Sequence, residues 1–195
     1  LATITAVTFP DMQKAVQRLE RAFATKERIG IFGDYDCDGI TSTAQIVRLC
    51  RRHGSEPLAR LPHRIKDGYG LRPAQIQQFA DAGITLLLTV DTGISAHEAM
   101  VTAATAGIDV IIMDHHQLLK EPPVAHAILH PALAPDFPQP HPSAAGIAFL
   151  FVHAFEGGVW AEQKIDLALA TLGTVADLVP LTGGNRLLVH AGLQA

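Results

Sequence analysis

Ile29-Gly30-Ile31-Phe32-Gly33-Asp34-Tyr35-Asp36-Cys37-Asp38-Gly39 decides how the rest of the chain is read: a short apolar run stops at glycine and three alternating aspartates follow at once. The run has strand length and β-forming residues. The same arrangement recurs where Leu86–Val90 meets Asp91-Thr92-Gly93, and where Val110–Met113 meets Asp114-His115-His116. Amphipathic stretches separate the runs. Asp11–Ala24 carries a helical stripe of Met12, Ala15, Val16, Leu19 and Phe23; Ile40–Arg52, Pro73–Ala82 and a Ser95-capped stretch to Ala106 are also helical. Strands are expected at Arg28–Phe32, Leu58–Leu61, Ile84–Val90, Asp109–Met113 and Ala125–Leu129. Alternation of this kind predicts an α/β fold with a parallel sheet flanked by helices. Its acidic strand tips would gather at the carboxyl edge, where open α/β sheets bind ligands. After the proline-rich loop His130–Pro142 the pattern is helical, at Ser143–Phe155 and Glu162–Ala176, with a turn at Val179–Asn185 and a last amphipathic piece.

With 195 residues, 48% of them hydrophobic, the chain suits one domain with one sizeable core. No apolar run approaches the roughly 20 residues that span a bilayer, so no membrane partner is expected. The start at Leu1 lacks a methionine and a signal-peptide pattern, which suggests a fragment of a longer protein, with residues 181–195 as the start of a linker. Two cysteines, Cys37 and Cys50, are too few for a disulfide framework and point to a reducing cytoplasm. The formal charge of −4 argues against a broad basic face for nucleic acid. That objection weakens if a divalent metal neutralises the acidic clusters.

In an extended segment Asp34, Asp36 and Asp38 would project from one side, with Tyr35 and Cys37 facing the other. Three carboxylates so close repel unless a cation intervenes. Oxygen donors with imidazole suit Mn²⁺ or Mg²⁺, and the imidazole favours Mn²⁺. A plainer reading makes each aspartate a helix cap, but three acidic tips beside a His-His pair favour the metal. Cys37 is read as buried packing. Ser143-Ala144-Ala145-Gly146 opens an apolar helix, where Ser143 and Gly146 either let backbone N–H groups approach a phosphate or form a plain cap with glycine for packing. Arg64, Lys66 and Tyr69 are the most compact basic-aromatic group, suited to a single nucleic-acid strand, although such a group alone is more often a solvated loop. The other eight histidines, His130 and His153 among them, are read as surface or loop residues.

GDYDCDGITS, VDTG, MDHH and GTVADLVPL, in this order, resemble the successive motifs of the DHH phosphoesterase family. LPHRIKDGYGL, SAAGIAF and NRLLVHAGL resemble its RecJ-type exonucleases in particular, so the likeness runs along essentially the whole chain. The resemblance implies a sheet of about five parallel strands and a site for two ions. Asp91 would bridge them, Asp36 would bind the first with help from Asp34, and Asp38, His115 and Asp177 would complete the second. Many relatives carry histidine where this chain has Phe32, so the first ion would depend more on water or substrate. Asp114 and His116 are the catalytic candidates, His116 contacting the scissile phosphate or serving as partner of a ligand carboxylate. The implied activity is 5′-to-3′ digestion of single-stranded DNA in repair and recombination, with single-strand-binding protein and a helicase as partners of the full-length protein. A small-substrate phosphoesterase and a non-catalytic replication scaffold are the alternatives. The motif favours phosphate contact for Ser143 and Gly146.

Overall fold

A computed structural model describes residues 9–65, 68, 70–158 and 163–195. Strands β1 (Ile29–Gly33), β2 (Leu58–Arg60), β3 (Leu86–Val90), β4 (Asp109–Met113) and β5 (Ala127–Leu129) form one parallel sheet in the order β2-β1-β3-β4-β5. The helices are α1 (Met12–Ala24), α2 (Cys37–Arg52), α3 (Pro73–Asp81), α4 (His97–Thr105), α5 (Ala144–Phe155), α6 (Lys164–Ala176) and α7 (Gly183–Gly192).

The strands read as continuous apolar runs because both faces of the sheet are covered. Every residue of β1 and β3 is buried, and successive side chains enter different cores. Ile29, Ile31, Leu86, Leu88 and Val90 pack with Leu19 of α1, Leu49 of α2 and Phe151 of α5. Phe32, Leu87, Val110 and Ile112 pack on the opposite side with Phe79 of α3 and Met100 of α4. Full burial of one such side chain contributes about 1.5–3 kcal/mol.

Helix α5 is apolar all round because it lies between the sheet and a further helical layer. Phe149 meets Leu167 and Ala170 of α6 and Leu188 and Val189 of α7. Residues 183–192, within the 181–195 segment, form a helix that packs on α5 and α6. Antiparallel to α2, α6 brings Asp166, fully buried, against Arg48 at 2.8 Å and Arg52 at 2.7 Å. That clamp at one end sets the register of the pair at the other, where Cys37 lies beside Leu172.

Three local expectations change. Helix α2 begins at Cys37, three residues before Ile40, so the aspartates do not lie along one extended segment. Asp36 caps the helix instead, its side chain accepting the Gly39 N–H at 3.0 Å. Ser95 does not cap α4; Ala96 precedes it without a side-chain cap, and a bend after β3 intervenes. Cys37 is exposed, while Cys50 is buried and its thiol is pushed up to about 12 by that burial.

Candidate metal centre

For the strand order 2-1-3-4-5 the chain reverses direction across the sheet between β1 and β3, which opens a crevice at their carboxyl ends. The β1 loop brings Asp34 and Asp36 there and α2 adds Asp38; β3 brings Asp91, and β4 brings Asp114, His115 and His116. The loop turns tightly onto α2: a Cβ at Gly39 would lie 2.5–2.7 Å from the Asp34 backbone. Glycine is therefore required there. Asp91 has a left-handed backbone, φ 59°, immediately after β3, a costly conformation of the kind found where a function holds it. Leu178, at φ 60°, stops α6 and leaves Asp177 as its last cap.

These elements bring together three sets of potential metal donors: Asp34, Asp36 and Asp91; Asp38, His115 and Asp177; and Asp91, His115 and His116, with donor atoms within 4.8 Å in each. Asp91 stands between the first two sets. His115 Nε2 lies 3.2 Å from Asp91 Oδ1, 3.7 Å from Asp38 Oδ2 and 3.7 Å from Asp177 Oδ2. Despite that closeness, Asp91 Oδ1 and His115 Nε2 are buried without a hydrogen-bond partner among the described residues. Buried polar atoms that meet only in poor hydrogen-bond geometry are costly, and a cation between these facing groups would satisfy both. Hard oxygens and one imidazole fit Mn²⁺ or Mg²⁺.

The electrostatics agree. Burial, reinforced by the charges of Asp38 and Asp36 and opposed by His115, pushes the Asp91 carboxyl up to about 7. Asp34, Asp38 and Asp177 are likewise raised, burial leading in each. Burial works against charging His115, but Asp91, Asp177 and Asp38 outweigh it and raise its pKa.

Asp114 faces a different task. It is 1% exposed, and its Oδ1 accepts the N–H of His115 at 2.8 Å and of His116 at 3.1 Å, while Oδ2 accepts the Ile94 N–H at 2.9 Å. His116 Nδ1 lies 2.7 Å from the same Oδ1. Burial alone would raise the Asp114 pKa, but the His116 ring and these N–H groups lower it. In return the hydrogen bond to Asp114 raises His116 to about 9, against burial. Asp114 thus holds both the backbone and the ring of His116, whose partly exposed imidazole stands beside the donor cluster.

At Ser143–Gly146 the backbone N–H groups have partners within the chain. Asp38 accepts the N–H groups of Ala144 at 2.7 Å and Ala145 at 2.9 Å, and the Ser143 hydroxyl accepts that of Gly146. Ser143 and Gly146 are buried, and a Cβ on Gly146 would press on Pro142 at 2.9 Å. The start of α5 thus directs the N–H groups of Ala144 and Ala145 to a carboxylate of this chain. Arg64 is placed near the site through a residue that sequence reading overlooked: its guanidinium lies 5.5 Å from the ring centroid of Tyr35, between Asp34 and Asp36. Lys66 and Tyr69 fall outside the described residues. Phe32 points into the α3/α4 core against Phe79.

Two further contributors, His130 and Gly173, escaped sequence reading. His130 and His153, taken for surface or loop residues, are 2% and 6% exposed. His130 follows β5 as Asp114 follows β4, so its strand-tip position was the available signal. Gly173 lets α6 approach the site, since a Cβ there would meet Ala145, Thr41 Oγ1 at 2.5 Å and Asp38 Oδ1 at 2.6 Å. Gly173→Ala is expected to destabilise the domain by about 1–3 kcal/mol and to weaken Mn²⁺ binding, as thermal melting and calorimetry would show. An unchanged melting temperature and affinity would mean that α6 shifts without disturbing Asp38.

Residues 28–176 match the model of the DHH family, N-terminal domain. The chain is 40% identical over 185 residues to the single-stranded-DNA-specific exonuclease RecJ of Bacillus subtilis, covering 94% of this chain and 23% of that protein. A crystal structure of exonuclease RecJ bound to manganese superposes with a TM-score of 0.89 at 37% identity, covering 96% of this chain and 48% of that one. RecJ from Thermus thermophilus in complex with Mn²⁺ gives 0.84 at 34% identity, over 96% and 27% of the two chains. The chain spans between about a quarter and a third of the length of its curated RecJ relatives. With the motif residues assembled at one sheet edge and the family model matching most of the chain, this protein belongs to the DHH family and carries its N-terminal domain.

Proposed function

We propose that this domain is the metal-dependent catalytic domain of an exonuclease acting on single-stranded DNA. The observation that carries the reading is the pair of orphaned atoms, Asp91 Oδ1 and His115 Nε2, set among donor groups that divide around Asp91. Asp34, Asp36 and Asp91 would hold one divalent ion, and Asp91, Asp38, His115 and Asp177 the second, Mn²⁺ or Mg²⁺. Bound ions supply Lewis-acid polarisation of the phosphodiester and a nucleophile drawn from water at neutral pH. His116, whose ring Asp114 holds through Nδ1, donates a hydrogen bond to the phosphate as negative charge builds on it. Arg64 on Tyr35 contributes a cation for the strand beside the loop.

The substrate is the one that the RecJ relatives are named for; the 5′-to-3′ direction, a role in repair and recombination and the cytoplasm as compartment are what the motif resemblance implies. Single-strand-binding protein and a helicase are the partners that go with it. No described helix is long and apolar enough to cross a membrane. Phe32 in the core and the full carboxylate set favour this reading over a small-substrate phosphoesterase or an inert scaffold.

Digestion of 5′-labelled and 3′-labelled single-stranded DNA, by this chain and by any longer polypeptide containing it, is the test. Release of labelled mononucleotide from the 5′ end with Mn²⁺, abolished by chelator, is expected. Cleavage confined to short oligoribonucleotides or cyclic dinucleotides would replace the reading with the small-substrate one. With a net charge of −4, the chain should bind single-stranded DNA weakly, with affinity falling as salt rises. Tight, salt-insensitive binding in a titration series would place the main DNA surface elsewhere.

A further inference from the structure

We propose that His130 is a positioning residue, which holds the backbone carbonyl of His116 while Asp114 holds its N–H and ring, and so fixes where the His116 imidazole stands. The proposal rests on the reading of His116 as the residue that meets the phosphate. His130 is the first residue after β5, in extended conformation and 2% exposed. Its Nδ1 accepts the N–H of Ala132 at 3.1 Å and therefore carries no proton. The proton is on Nε2, which donates to the carbonyl oxygen of His116 at 2.8 Å. Geometry alone sets this tautomer.

The chain needs such a tie at this point. Up to His116 the backbone is held by the sheet and by Asp114, which takes the N–H groups of both histidines and the Nδ1 side of the His116 ring. Beyond it, residues 117–126 form neither helix nor strand, with Leu119 79% and Val124 91% exposed. The bond from His130 closes this excursion onto the neighbouring strand end. It anchors the His116 carbonyl while Asp114 anchors its N–H and ring. A side chain held on one side only can swing about its own peptide, and a misplacement of about 1 Å is enough to cost a large factor in rate.

Two variants of similar size separate this role from packing. His130→Gln can extend an amide donor to the place of Nε2 and keep the bond to His116. His130→Asn offers an acceptor at the place of Nδ1, keeps the Ala132 contact, and is too short to reach His116. In chelator, hydrogen exchange of the His115 and His116 amides, followed by NMR on the full chain, should quicken about 10-fold or more in His130→Asn and stay near wild type in His130→Gln. With Mn²⁺ and single-stranded DNA, kcat should fall by about 10–100-fold in His130→Asn and by less than about 3-fold in His130→Gln. KM and Mn²⁺ affinity should hold in both. If the two variants behave alike in exchange and in kcat, His130 only fills space and the proposal is overturned. If the exchange results separate as expected while the wild type leaves single-stranded DNA uncut, the positioning role stands and the nuclease reading fails.

Discussion

Replacing His116 with alanine is expected to lower kcat for DNA cleavage by about 10²–10³-fold, the range for loss of one donor that acts on the transition state. Mn²⁺ affinity should stay near wild type. The ring is held through Nδ1 by Asp114 and stands beside the donor cluster, so its loss removes a phosphate contact more than a ligand. His115→Ala should behave in the opposite way. Its Nε2 faces Asp91, Asp38 and Asp177, so the variant should bind the second ion weakly and regain part of its rate in excess Mn²⁺. Single-turnover cleavage and calorimetry on both variants would decide, and a His116→Ala enzyme rescued by metal would reverse the two roles. The pH profile adds a check. Because the hydrogen bond to Asp114 raises the His116 pKa, its donor function should persist through neutral pH and fail only on the alkaline side. Asp114→Asn should move that limb to lower pH.

Asp91→Asn is expected to abolish high-affinity binding of both ions, since Asp91 stands between the two donor sets. It should also stabilise the metal-free protein. The folded carboxyl titrates near 7, raised from 3.8, so the folded state holds this proton more tightly than the unfolded chain does. Stability is then fully present below about pH 4 and is lost as pH rises toward and through 7, by on the order of 4 kcal/mol. Asp34, Asp38 and Asp177 are raised as well and act in the same direction. Denaturant melts in chelator between pH 4 and 8 should show both proteins weakening, the wild type by more, since the variant keeps Asp34, Asp38 and Asp177. Mn²⁺ at pH 8 should restore the wild type far more than the variant. Equal melts across the range would mean that water reaches Asp91 and relieves the burial assigned to it.

Legibility followed the range of the interactions involved. The strands at Ile29–Gly33, Leu86–Val90 and Asp109–Met113, and the acidic residues that follow them, could be read from runs of neighbouring residues, because burial on both faces and the strand-to-loop boundary are local features. Asp177 came from a motif, and its place beside Asp38 and His115 depends on how α6 packs. The errors lay where side-chain direction depends on another element. Asp34, Asp36 and Asp38 alternate in sequence, yet Asp36 caps α2 and Asp38 turns inward to the start of α5. Ser143 and Gly146 looked suited to a phosphate, and only the approach of α2 reveals that the Asp38 carboxylate takes the N–H groups of Ala144 and Ala145 between them.

The sequence by itself determined which residues reach the carboxyl edge of a parallel sheet, because hydrophobic periodicity and strand termination depend on near neighbours. Tertiary structure alone decided which of them meet. The order β2-β1-β3-β4-β5 places the tips of β1 and β3 side by side, the packing of α6 through Gly173 and the Asp166 clamp carries Asp177 to His115, and the end of β5 sets His130 under His116. Those contacts join residues far apart in the chain, and their geometry is fixed by the balance of burial and hydrogen bonding over the whole domain, which no single segment encodes.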